Sequence, residues 1–551
     1  MKKIYLLMLL LATVFVACSD DNDNENDDDS IILETSISEL IFTASGGTQS
    51  FDIKCNTNWQ ITKCPTWCQI NLDIWETHSK DTTITISVSD DEITEERKDE
   101  IEITSGKIKK YVSIKQGCYT ILSSEQDLQN FKNNGNTTFN GSILIKGEEI
   151  RSLSTLGNIL EKIQGDLSIK CENLTNFDGL YNLTNIEGNF VIQNGKFTTF
   201  EGLNKLNQIG KDFHLSNNFE SLETFKGLDN LTKIGGSFYF NAYKKRIEKQ
   251  PITSFKGLNK LTEIGGDFII STMGSLNSLD SFEGLENLQT INGDFQILSE
   301  ARNDGGNDQS LEKLSSFKGL TNLKKIGGSF KISSSAFNTN KESGDFGYSW
   351  KCSSLNNLSS FEGLNNLIEI GGNLEILILT GNTGRGQAKE CYSLCKIKSF
   401  KGLSKLSKIG GNLKLKCFLE SVYVNDFASQ ALNNLTSFEG LEALEEIGGN
   451  VEITGDKYHT FSSLISLEGL TGVKKITNEI NIDYCSNLVN IDALINLNDV
   501  AGISISNCPK LYDFCVFKNI VKELDIPFYA GDNGYNPTKI QLINGECSSN
   551  N

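Results

Sequence analysis

The chain has 551 residues, with 70 acidic against 51 basic side chains and a net charge of −19. That balance excludes a nucleic-acid binder, which needs a basic footprint, and the length leaves room for two or more domains. Five Pro against 49 Gly suits regular turns in a β-rich repeat better than a disordered chain.

The N-terminus opens with Met1-Lys2-Lys3 and continues as an apolar run over 4–17. A charged start and an apolar stretch of this length read as a signal peptide, too short to span a bilayer comfortably. The run ends in Phe15-Val16-Ala17-Cys18. Small residues before a Cys resemble the lipobox of bacterial lipoproteins. The resemblance implies removal of 1–17 and acylation of Cys18; the alternative is a plain secretory signal. Several acyl chains, at about 0.8 kcal/mol per buried methylene, would anchor the chain durably. Residues 19–29 are almost all Asp, Asn and Glu, so 18–30 is expected to be a solvated tether. The run also resembles the acidic signal that follows the lipidated Cys in Bacteroidetes surface lipoproteins. That implies an outer-membrane location, lipid-anchored and facing the cell exterior; the alternative is a spacer. In an exported chain, the 13 other Cys of the 14 can form disulfides with one left over.

Residues 31–117 carry short alternating runs, such as Gln49-Ser50-Phe51-Asp52-Ile53 and Thr83-Ile84-Thr85-Ile86-Ser87-Val88, punctuated by Gly46-Gly47 and Ser105-Gly106. Strands of this length and spacing predict a small β-sandwich. Ala44-Ser45-Gly46-Gly47-Thr48, Asn58-Trp59, Glu96-Arg97-Lys98 and the closing Val112-Ser113-Ile114-Lys115-Gln116 resemble a BACON domain. The resemblance covers nearly all of 31–117. It implies an immunoglobulin-like sandwich and a role in carbohydrate or mucin binding. Trp59 reads as core. Trp67, in the turn Cys64-Pro65-Thr66-Trp67-Cys68, and Trp75, in a loop, are the candidate ligand contacts here. A disulfide from Cys55 to Cys64 or Cys68 fits better than a zinc site, because no His stands beside them.

Residues 118–135 predict a capping helix, with Ser123/Gln126 or Ser124/Asp127 as its capping box. From 136 to 515 one phrase recurs: Phe-x-Gly-Leu-x-x-Leu-x-x-Ile-Gly-Gly-x-Phe-x-Ile. Its first Gly falls at Gly179, Gly202, Gly227, Gly257, Gly284, Gly319, Gly363, Gly402, Gly440 and Gly469, with 23 residues as the shortest spacing. A fixed phrase at this period predicts a leucine-rich solenoid. Leu-x-x-Leu-x-x-Ile steps by three, too tight for a strand, and predicts the irregular side of a coil. Gly-Gly is expected at positive φ in a corner. Phe-x-Ile steps by two, so Phe and Ile point inward, and Phe238, Phe268 and Phe295 are expected in one buried column. About 13 coils at about 4.8 Å each would stack to roughly 60 Å. The phrase resembles the receptor L domain, the leucine-rich solenoid of growth-factor receptor ectodomains, which implies a mainly β, parallel solenoid after the sandwich. A C-terminal cap is expected over 516–551, with Cys485, Cys508, Cys515 and Cys547 as disulfide candidates. The longer units gain residues at one place, roughly 241–251, 299–310, 333–357, 377–397, 416–433 and 454–464. These are expected as loops along one edge, either a binding side or merely tolerated there.

Catalytic patterns are missing from the sequence. His78, His214 and His459 are the only His, and no Gly-x-Ser-x-Gly, His-Glu-x-x-His or Walker loop occurs. Asn303-Asp304-Gly305-Gly306-Asn307-Asp308 has the oxygen density of a calcium loop without EF-hand spacing. No metal and no cofactor is expected, and the chain does not read as an enzyme. The expected function is a cell-surface lipoprotein binding a host or bacterial surface protein, glycoprotein or glycan. The alternatives are a structural or adhesive scaffold and a glycan-processing enzyme. The sharpest site expectation comes from the outward residue between Phe and Ile in successive strands. It reads Val191, His214, Tyr239 and Ile269 before turning polar at Gln296 and Lys331. This predicts an exposed apolar strip, joined by Tyr243; the alternative is that a loop or the first domain covers it.

Overall fold

The computed structural model describes residues 31–549 except 75, 80, 218, 244–249, 304–307, 339–350, 383–389, 422–427 and 457–460. Cys18, the acidic run, Trp75, His459 and most of the 303–308 segment therefore lie outside the described residues. Among the described residues, no helix is long and apolar enough to cross a membrane.

The chain divides into two units. The first takes 31–40, 48–88 and 98–114 of the described residues; the second takes 41–47, 89–97 and everything from 115 onward. Two four-stranded sheets are built over 33–116. One orders Leu33–Thr35, Gly47–Cys55, Thr82–Val88 and Cys68–Ile70; the other orders Glu39–Phe42, Ile108–Gln116, Arg97–Ser105 and Gln60–Lys63. Every second residue is buried, as in Phe51, Ile53, Ile84, Ile86, Ile101, Ile103, Val112 and Ile114, the period a strand with one buried face requires.

The second unit is a stack of coils. A 15-stranded sheet runs from Tyr119–Leu122 to Phe528–Gly531, and its strand pairs are all parallel. A 12-stranded sheet of two-residue strands lies on the other side of each coil, from Thr138–Phe139 to Lys475–Ile476. These short strands hold the Ile that closes Leu-x-x-Leu-x-x-Ile, so the side expected to be irregular pairs only briefly. The main sheet passes both expected limits of the repeat, 136 and 515. Tyr119–Leu122 is already its edge strand, and Phe528–Gly531 adds a rung within the expected cap. The helix Glu125–Asn133 links the first two rungs, and the Ser124 hydroxyl accepts the Asp127 amide proton at its start.

Two aromatic columns fill the coils. Phe190, Phe213, Phe238, Phe268, Phe295 and Phe330 stack nearly parallel with ring centroids 5.1–5.2 Å apart. The Phe of Phe-x-Gly forms the second column, from Phe177 and Phe200 through Phe225, Phe255, Phe282, Phe317 and Phe361 to Phe400 and Phe438. The columns meet edge to face, Phe255 on Phe268 at 79° for example, the arrangement aromatic quadrupoles favour.

The glycines divide their work differently from expectation. Positive φ belongs to the Gly of Phe-x-Gly, at 103° to 111° from Gly179 to Gly469. The Gly-Gly pairs of the repeat have no positive φ; they are glycine because the coil beneath leaves no room. A Cβ on Gly265 would sit 2.0 Å from the Gly235 carbonyl oxygen, and one on Gly266 would sit 2.4 Å from the Ser237 hydroxyl.

That hydroxyl belongs to a ladder. The residue just before each main strand, at the place that follows Gly-Gly in the phrase, accepts the backbone N–H of its counterpart one coil on, through Ser142, Asp166, Asn189, Asp212, Ser237, Asp267, Asp294, Ser329, Asn373, Asn412 and Asn450, at 2.6–3.0 Å. Each bond satisfies an amide that the main sheet does not reach. The signal was present in the phrase, whose x before Phe is always Asp, Asn or Ser from Asp166 to Asn450, apart from being read as an arbitrary position.

The insertions are more than loops. In four successive coils the main strand lengthens to nine residues, as in Phe295–Asn303 and Phe330–Asn338. The returning chain forms a third parallel sheet from Asp308–Ser310, Lys351–Ser354, Glu390–Ser393 and Ala428–Ala431. Buried hydroxyls join the two layers: Ser299 to Ser310, Ser354 to Ser299, Ser334 to Ser354 and Ser393 to Ser334. Ala301, Ala336 and the disulfide Cys352–Cys391 pack beside them.

Candidate functional site

The outward column of the main sheet has the expected register. Val191 pairs with His214, His214 with Tyr239, Tyr239 with Ile269, and Ile269 with Gln296. Its exposure is a correction in one place: Val191 is 8% exposed and so buried, which removes it from any open strip. His214, Tyr239 and Ile269 are half-buried. Their rungs gain width further along the strands, where Tyr243 pairs with Met273, at 42% and 37% exposure. The patch is therefore His214, Tyr239 and Ile269 with Tyr243 and Met273, not a line of four. Met273 was overlooked because it lies beyond Phe-x-Ile, in the part of the strand that lengthens. Past Gln296 the same column becomes charged, and Lys416 and Lys414 reach Glu452 at 2.6 and 3.9 Å.

Carboxylates border the patch where the ladder enters the strands. The Asp212 Oδ2 lies 3.7 Å from His214 Nε2, and its Oδ1 accepts the Ser237 N–H at 2.7 Å. Burial pushes the Asp212 carboxyl up, but the bonds from His214 and the Ser237 amide outweigh it and hold the group below its ordinary value. Burial, with Asp294 and Asp212 nearby, raises the Asp267 carboxyl, although it accepts the Asp294 amide proton. Burial likewise raises the Tyr239 phenol. The His214 and Tyr239 rings lie 4.1 Å apart, tilted by 52°. The side chains together make an apolar and aromatic surface whose bordering carboxylates accept backbone amide protons.

The other expected site residues are not gathered here. Trp67 is half-buried in the first unit, in the turn closed by the Cys68 amide on the Pro65 carbonyl, and Trp75 is outside the described residues. Trp59 is 1% exposed, and its ring lies 4.7 Å from that of His78. Cys515 and Cys547 form a disulfide with Cα atoms 4.8 Å apart. Cys485 and Cys508 do not: both are free and buried. They sit two residues past the paired Asp483 and Ser506, and the Cys485 thiol donates to the Asp483 carbonyl at 3.9 Å. The Cys508 thiol also donates to the Ser506 carbonyl at 3.2 Å. The disulfide expected from Cys55 to Cys64 or Cys68 is not formed, and the Cys55 sulfur lies 3.5 Å from the Ser105 hydroxyl instead. The pair Cys352–Cys391 was not foreseen. Its signal was the shared phrase Cys-x-Ser-Leu, at Cys352-Ser353-Ser354-Leu355 and Cys391-Tyr392-Ser393-Leu394.

No family model matches the chain. No curated protein matches it either. Among solved structures, a GH5 xyloglucanase from Bacteroides ovatus in complex with a XXXG heptasaccharide aligns at 17% identity, over 20% of this chain and 26% of that one, with a TM-score of 0.15. Likeness at that level does not establish a shared fold.

Proposed function

We propose that this chain is a surface lipoprotein that binds a protein, glycoprotein or glycan partner, and that it is not an enzyme. In this reading Cys18 carries the lipid, the acidic run holds the protein off an outer membrane, the first unit is an immunoglobulin-like sandwich of the BACON kind, and the second is a receptor L-like solenoid. The observation that carries it is the patch of His214, Tyr239, Ile269, Tyr243 and Met273 on the outward face of the main sheet. A cluster of aromatic and apolar side chains that strand pairing holds rigidly suits an interface anchor. Its bordering carboxylates are bound to amides, which favours contact over catalysis.

Two measurements test this reading. Cys18→Ala should abolish incorporation of labelled fatty acid and release the protein from membrane fractions; a variant that still requires detergent for extraction would refute the anchor. The double variant Tyr239→Ala/Ile269→Ser should melt within a few degrees of the parent, because both side chains are half-exposed. It should also lose binding to whichever purified mucin, surface glycoprotein or arrayed glycan the parent captures. Retained affinity in the folded variant would place binding elsewhere, and a parent that captures none of them would favour the scaffold reading.

A further inference from the structure

A second feature departs from the repeat at the other side of the coils. In Phe-x-Gly-Leu-x-x-Leu, the residue after Leu turns back to cap its own glycine. The side-chain oxygens of Asn204, Asp229, Asn259, Glu286, Asn365 and Glu442 accept the amide protons of Gly202, Gly227, Gly257, Gly284, Gly363 and Gly440. Coils with Thr321, Ser404 or Thr471 at this position also lack the cap among the described residues, and one coil carries Tyr181, whose side chain cannot turn back to make it. Among the described residues the Gly179 N–H has no acceptor, and the Tyr181 ring stands 49% exposed.

A groove of about 450 Å³ opens there, lined by Tyr181, Gly179, Asp178, Asn158, Asn204 and Glu201 among others. Its polar groups are interleaved. Asn158 and Asn204 spend their side-chain oxygens on the Tyr181 and Gly202 amides, which leaves both NH2 groups as donors. The carboxylate of Asp178 has no ion pair among the described residues, and that of Glu201 is paired with Lys226 at 2.6 Å. The Lys205 ammonium sits 5.0 Å from the centre of the Tyr181 ring and is bonded to Asn182 at 2.9 Å. It holds the ring and already occupies the cation site that a tyrosine offers.

We propose that this groove is a binding site for a neutral saccharide, separate from the patch on the main sheet. Hydroxyl groups both donate and accept, so a sugar can use the Gly179 N–H and the two amides as donors and the Asp178 and Glu201 carboxylates as acceptors, with a ring face on Tyr181. Asp178, which has no ion pair among the described residues, disfavours the anionic group of a sialylated or sulfated glycan beside it. The volume suits a small ligand, and the walls lack the apolar pocket that a peptide anchor would fill.

The test uses the full-length protein in a sugar-free zwitterionic detergent. An array of neutral oligosaccharides is probed, and the best of them is titrated by calorimetry. At least one should bind, and Tyr181→Ala should weaken it about tenfold or more, with an unchanged melting curve. Tyr181→Trp should retain affinity and Asp178→Asn should reduce it. The sheet-face double variant should leave it unaltered, so failure of one site is read apart from failure of the other. No neutral oligosaccharide binding at millimolar concentration, unaltered binding by Tyr181→Ala, or displacement of the sugar by a basic peptide would each overturn the proposal.

Discussion

Gly257→Ala is expected to be among the most damaging single-methyl additions to the second unit. Gly257 has φ +110°, and a Cβ there would lie 2.1 Å from the carbonyl carbon of Phe225 in the coil before it. The backbone angle alone costs about 1–3 kcal/mol for an L side chain. The added contact is with backbone, which cannot rotate away, and overpacking of this kind adds about 1–3 kcal/mol more. A combined loss of about 3–6 kcal/mol should appear in the denaturant midpoint. Gly47→Ala separates the two causes, since Gly47 has φ +121° with nothing within 4 Å of the built Cβ. If the two substitutions cost the same, close approach of the coils is not what demands glycine at 257.

Phe268→Ala should cost about 3–5 kcal/mol as a large-to-small truncation. The ring is fully buried, stacked 5.2 Å from both Phe238 and Phe295, and edge-on to Phe255 and Phe282. Its removal interrupts one column and strips an edge contact from the other. Phe268→Leu should be far milder, because the same register is filled by Leu374 and Leu413 farther along. Hydrogen exchange should speed first in the flanking strands Phe238–Tyr243 and Phe295–Asn303, since a stacked coil feels mainly its neighbours. A loss below about 1 kcal/mol would place Phe268 outside the core.

The coil itself was legible because its pattern is periodic and its consequence is steric. Phe-x-Ile places both side chains inward, and the register from Val191 to Ser504 follows from that spacing alone. What escaped depends on neighbours in space. The exposure of Val191 could not be judged from its own strand. Gly-Gly and Phe-x-Gly look alike as letters, yet one answers to crowding and the other to a backbone angle. The third sheet was read as loops because its strands are short and carry Ser and Cys, whose burial is intelligible only once Ser299, Ser354 and Ser334 are seen bonded to one another. The Tyr181 groove hid for a related reason: a single exposed Tyr is unremarkable until the six coils that cap their glycine are set beside it.

The ladder of Asp, Asn and Ser has a consequence for how such a chain can change over generations. Every rung from Asp166 to Asn450 offers an acceptor to the coil after it and takes one from the coil before, and Asp, Asn and Ser all serve. The joints are therefore interchangeable. Duplication or loss of one whole unit leaves each surviving rung with a compatible partner, so length can vary in steps while the fold persists. Loss of a fraction of a unit breaks the hydrogen-bond pairing and both aromatic columns at once. Selection on reach, or on the number of contact faces displayed, can thus act through unequal recombination between repeats, without waiting for a new core to be assembled residue by residue.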